Sequence, residues 1–147
     1  MVISLLYLAR QIRLSTKAIV SGTYQTHMDA WHALSTLIIE NSEVVELLWK
    51  SDDERQELSP TDQIRFRWLA NKMFANWEHW YADYQAGMIT NADAESCTCY
   101  FRDLANRPGL RKFWESSRQW FYPEFVAFVD RELAAAGAPT GEAMEQR

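Results

Sequence analysis

The sequence predicts an all-α protein: a small helical bundle with a long N-terminal helix and about five helices in total. Three observations carry that prediction. Only five Gly and four Pro punctuate 147 residues, too few for a chain of short strands and tight turns. Apolar residues recur at spacings of three and four over long stretches, which is the helix period. Seven Trp, six Tyr and seven Phe supply enough ring area to fill a core between helices. Length and composition, with 48% apolar and 24% charged residues, suit one globular domain.

The first helix is predicted from Val2 to Glu40, where no Pro occurs and Gly22 is the only Gly. Val20, Tyr24, Met28, Trp31, Leu34 and Ile38 form its regular stripe. Upstream, Leu5, Leu8 and Ile12 share a face, but Ser15, Thr16, Ser21 and Thr23 interrupt the pattern. At 1.5 Å per residue this helix is roughly 58 Å long. No other predicted helix exceeds about 40 Å, so one end lacks a bundle partner. The irregular N-terminal end is the expected overhang.

A second helix restarts at "NSEVVELLWK", with Asn41 or Ser42 as cap and Glu43 and Glu46 in its first turns. Val44, Val45, Leu47, Leu48 and Trp49 are expected to bury it. Ser51 to Glu57 is polar and reads as a solvated loop. "LSPTDQIRF" is the strongest local signal. Ser59 caps, Pro60 takes the first helical position, and Asp62 back-caps. That helix is expected to run to about Ala86, closed by Gly87. Its stripe is Phe66, Leu69, Met73, Trp77, Trp80 and Tyr84, a bundle seam. The next helix is expected from Asn91 as cap to Asn106, with Pro108 and Gly109 in the break. A short helix from about Leu110 to Trp120 follows. The last starts at Pro123, buries Phe125, Val126, Phe128, Val129 and Leu133, and ends at Gly137. Three segments result: residues 1–17, an apolar then basic start; 18–137, the bundle; and 138–147, a flexible tail.

"NWEHWYADYQ" places Glu78, His79 and Asp83 among two Trp and two Tyr. His79 and Asp83, at i and i+4, would make a ligand or acid–base pair. A di-metal bundle needs Glu-x-x-His on two helices, and none occurs. The competing reading puts Trp77, Trp80 and Tyr84 in the core and Glu78 and His79 on the flank. His27 and His32, five apart, diverge by about 140° and do not chelate one ion readily. His27 reads as a hydrogen-bonded interior or boundary residue, with a pocket shared with His79 left open. Trp77, His79, Trp80, Tyr84 and His27 are therefore the candidate site for a small apolar ligand. Asp52, Asp53, Glu54 and Glu57 lack the Gly that a calcium loop requires. Cys97 and Cys99 read as free thiols, too few for a zinc site or disulfide framework. No Gly-x-Ser-x-Gly, Gly-x-Gly-x-x-Gly or phosphate-binding loop is present. No enzyme activity, metal or cofactor is expected. A net charge of −5 and a pI of about 5.2 disfavour nucleic acid as a partner.

The opening "MVISLLYLARQIRLSTK" holds eight apolar residues in its first nine, followed by Arg10, Arg13 and Lys17. A bilayer crossing takes roughly 20 apolar residues, so the stretch as written does not span. A removable secretion signal carries its positive charges before the apolar run, not after it. Tyr7 and the basic trio do suit the inner end of a membrane helix. Leu5, Leu6, Tyr7, Leu8, Arg10, Arg13 and Lys17 are the candidate membrane or self-association residues.

"LLYLARQIRLSTKA", "LSPTDQIRFRWL", "WYADYQAGMI", "RPGLRKFWE" and "YPEFVAFVD" fall in an order that resembles a widespread group of uncharacterised bacterial proteins. These resemble one another in a single N-terminal transmembrane helix followed by a small cytoplasmic helical domain. The resemblance runs from Leu5 to about Leu133. It implies no catalytic residues. It implies that Leu5 to Lys17 is the exit of an anchor into the cytoplasm, with the upstream half of the anchor missing. The expectation is a non-catalytic interaction or scaffold module at the inner membrane face, or a cytoplasmic protein if the chain as written is complete. The alternative is a soluble helical protein that binds a small apolar ligand at the aromatic seam.

Overall fold

A computed structural model describes residues 2–53 and 55–137. The predicted tail at 138–147 lies outside the described residues, as does Glu54 of the acidic patch. Among the described residues six α-helices form where about five were expected: α1 Val2–Glu40, α2 Ser42–Asp52, α3 Pro60–Gln85, α4 Asn91–Ala105, α5 Pro108–Ser117 and α6 Pro123–Gly137. A 3-10 turn, Arg118–Trp120, joins the last two. No strand occurs among the described residues.

Local chemistry accounts for most boundaries. The Ser59 hydroxyl accepts from the Asp62 N–H at 3.1 Å and donates to the Asp62 carboxylate at 2.9 Å. Pro60 opens α3 where its missing N–H costs nothing. Gly87 takes φ +73° just past the end of α3, the left-handed conformation that favours glycine.

Three predicted ends shift. Thr90, not Asn91, caps α4: its extended backbone holds the hydroxyl 3.2 Å from the Asp93 N–H, while Asn91 is already helical. Asn41 stands at the N-cap of α2, but its amide donates to the Leu37 carbonyl at 2.8 Å and so serves the end of α1. Pro108 and Gly109 open α5 and do not lie in the break before it.

Helix α3 is the centre of the bundle. It packs against α1, α2, α5 and α6, while α4 packs on α5 and α6. Phe66, Leu69, Met73, Trp77 and Trp80 are buried as the seam predicts. Tyr84 is half-buried, its ring stacked on Trp80 at 5.8 Å. Phe74, outside the predicted stripe, is also fully buried and stacks on Trp114 at 5.0 Å. Trp77 meets Phe101 edge-on at 4.6 Å and Trp31 at 4.8 Å.

Trp49 departs from expectation. It is 72% exposed, while Leu47 and Leu48 bury α2. Successive residues turn by about 100°, so a run ending at Trp49 passes beyond the face that meets α1, α3 and α5. The polar stretch after it is also less solvated than predicted. Ser51 and Asp52 complete α2. The half-buried Asp52 carboxylate accepts from Arg107 Nε at 2.7 Å and from the Gly109 N–H at 3.0 Å. Arg107 makes no side-chain cap of its own, so a residue from another helix caps α5.

Candidate functional site

The residues that face solvent without a packing reason lie mainly on α1. Its second half belongs to the bundle: Leu34 is buried, and Met28, Trp31 and Ile38 are half-buried. Its first half does not. Every residue from Ser4 to Ile19 is exposed. Leu5, Leu6, Tyr7, Leu8, Ile12, Leu14 and Ile19 are each more than half exposed. Arg10, Arg13 and Lys17 project from the same stretch and join no ion pair among the described residues. This is the overhang that helix length predicted. No helix among the described residues is long and apolar enough to cross a membrane.

Where α1 enters the bundle, His27 Nε2 lies 2.9 Å from Asp83 Oδ2 of α3. His27 is thus the hydrogen-bonded boundary residue expected. Its partner is Asp83, the residue that sequence spacing set beside His79. His79 is exposed. Replacing His27 by alanine is expected to cost about 1 kcal/mol. An Asp83→Ala change should cost about the same, and the double variant little more than either, because one interaction is lost once. Urea unfolding of the three variants measures it.

The five candidate ligand residues do not gather around one cavity. Trp77 and Trp80 are core, 1% and 3% exposed. Tyr84 lines an open groove of about 360 Å³ between α3, α4 and α6, together with Tyr81, Thr98, Arg102, Arg131 and Glu132. Three of the charges in that groove are engaged with one another: buried Glu132 accepts from Arg102 at 2.6 Å and lies 3.5 Å from Arg131. Among the described residues no three His, Cys, Asp or Glu side chains converge as a metal site would need.

A second groove, about 380 Å³ and mostly apolar, runs between α1, α2 and α3. Leu37, Val44, Leu47 and Leu69 line it beside Ile64 and Trp68, with Arg65 and Lys72 at its rim. Ile64 and Trp68 are 61% and 70% exposed. Sequence reasoning passed over them because they lie off the buried stripe of α3. Two large apolar residues at i and i+4 outside that stripe were the available signal.

The two thiols differ in setting. Burial, reinforced by the Asp93 carboxylate, pushes the Cys97 thiol up, against an opposing contact with Trp80. Cys99 is exposed. A raised thiol holds less thiolate at a given pH, so iodoacetamide at mildly alkaline pH is expected to label Cys99 several-fold faster. Peptide mass spectrometry checks it.

No protein-family model matches the chain, and neither a curated protein nor a solved structure matches it.

Proposed function

We propose that this protein is a non-catalytic helical interaction module, tethered at the cytoplasmic face of a membrane by the exposed half of α1. The observation that carries the reading is that half itself. Seven large apolar side chains stand in solvent between residues 5 and 19, next to three cations that join no ion pair among the described residues. An apolar surface of this kind on a folded protein marks a site of attachment. The resemblance to proteins built as a membrane helix plus a helical domain agrees with it, and so does the order of apolar residues before basic ones. The bundle would then present its surface grooves to other components at the membrane.

The alternative, a small apolar ligand held at the aromatic seam, has weaker support. Trp77 and Trp80 are enclosed by neighbouring rings that occupy the seam. Cell fractionation tests the tether. The natural protein is expected in the membrane pellet, released by detergent. Full recovery in the soluble fraction overturns the reading.

A further inference from the structure

We infer that the exposed half of α1 binds an anionic bilayer surface, with Arg10, Arg13 and Lys17 against acidic phospholipid headgroups. The inference rests on the tether proposed above and names its partner.

Charge is the first argument. Residues 1–28 contain those three cations and no Asp or Glu. Residues 29–147 hold the remaining twelve Lys and Arg against all twenty Asp and Glu, a net of −8. A cationic arm stands on an acidic body. Along the helix axis, the ten residues from Lys17 to His27 span about 15 Å. That is nearly two Debye lengths of about 8 Å at physiological salt, enough to hold the acidic body off a surface that would repel it.

Helix geometry is the second. At about 100° per residue, Arg10, Arg13 and Lys17 fall within about 60° of one another. Leu5, Leu8, Ile12 and Ile19 cluster equally tightly on a face about 140° away. Leu6 falls inside the basic arc, so apolar side chains surround the helix and the cations form a band along it, the arrangement of a segment that enters an anionic lipid surface end-on.

The pattern of exposure separates lipid from a second helix. Leu6, Tyr7 and Leu14 lie outside the apolar stripe, yet each is more than half exposed. A partner helix would cover one face and leave these three in water, whereas lipid reaches around the helix. The seam is also too short for a coiled coil. After Leu5, Leu8 and Ile12 the heptad positions fall on Ser15, Ile19 and Gly22, and a stable coil needs about three to four unbroken heptads. The acidic body of another copy is the competing partner for a cationic arm, and a lipid-free dimer is the outcome that would reveal it.

Vesicle flotation of the full chain tests this. Phosphatidylcholine vesicles are compared with vesicles that also contain phosphatidylglycerol. Three basic residues at the surface predict partitioning on the order of 100-fold tighter to the anionic vesicles, weakened by added salt. The variant Arg10→Gln/Arg13→Gln/Lys17→Gln is expected to lose that preference. Leu5→Ser/Leu8→Ser/Ile12→Ser is expected to abolish binding to both. Unchanged thermal unfolding of the bundle shows that the variants fold. Equal partitioning to the two vesicle types overturns the anionic partner and leaves the tether standing. Binding to neither overturns the tether as well. A lipid-free dimer that the Leu→Ser variant dissolves overturns lipid in favour of a second copy.

Discussion

Replacing Trp77 by alanine is expected to destabilise the protein by about 3–5 kcal/mol. For a chain of this size, that corresponds to a fall in Tm on the order of 10–20 °C. Trp77 is 1% exposed and stands where three helices meet. Its ring touches Trp31 of α1 at 4.8 Å, Phe101 of α4 at 4.6 Å and Phe74 of α3 at 5.8 Å. Removing it forfeits the transfer energy of the ring and leaves a cavity. The cavity does not collapse easily, because α1 and α4 are held on other contacts as well. Trp31 alone would lose a large part of its packing surface, and with it the hold of the bundle on α1. Trp77→Phe should cost clearly less. Thermal unfolding followed by circular dichroism measures both, and an alanine variant that melts within a few degrees of the parent contradicts the assignment of Trp77 as the central core residue.

The second large effect is expected at the seam between α2 and α5. A Cβ at Gly109 would collide with Ser51 Oγ and lie 2.8 Å from both Ser51 Cβ and the Ser51 backbone oxygen. A serine hydroxyl can rotate away, but a backbone oxygen in the last turn of α2 moves only if the helix moves. Gly109→Ala should therefore force α2 and α5 apart, at about 2–3 kcal/mol, the upper part of the range for overpacking. The same displacement would pull Asp52 from the Gly109 N–H and from Arg107, which it accepts from at 3.0 and 2.7 Å. Asp52→Ala is expected to cost about 2 kcal/mol by uncapping α5 and leaving Arg107 without its carboxylate. Asp52→Asn, which keeps an acceptor for the N–H, should recover part of that. Because both changes break one seam, combining Gly109→Ala with Asp52→Ala should cost less than their sum. Urea unfolding of the set gives the coupling directly, and full additivity would contradict a shared seam.

These two sites differ in how far the sequence announced them. Trp77 sat in a stripe of apolar residues at spacings of three and four, a pattern visible without any partner. The clasp at Asp52 was invisible. Asp52 and Arg107 are 55 positions apart, and the run around Asp52 carries the composition of a loop. The same distance in sequence hid His27–Asp83, 56 apart, and the Glu78 carboxylate that accepts from the Tyr122 N–H at 2.7 Å, 44 apart. Spacing suggested that Asp83 answers His79 because the two share a helix face. In the fold, Asp83 reaches His27 of α1 while His79 stays exposed.

The sequence by itself determined that the chain is helical, where most helices begin and end, and that the first helix outruns its neighbours. Those properties depend on residues within four positions of one another: the 3.6-residue period, the Ser59–Pro60 start, the Gly87 stop. The tertiary structure alone decided which faces meet. It closed the aromatic seam with rings from four helices, left Ile64 and Trp68 beside an open groove, and turned a polar run into the cap of a distant helix. Such pairings depend on distances between residues that the chain brings together only after its helices have packed, and no local pattern encodes those distances.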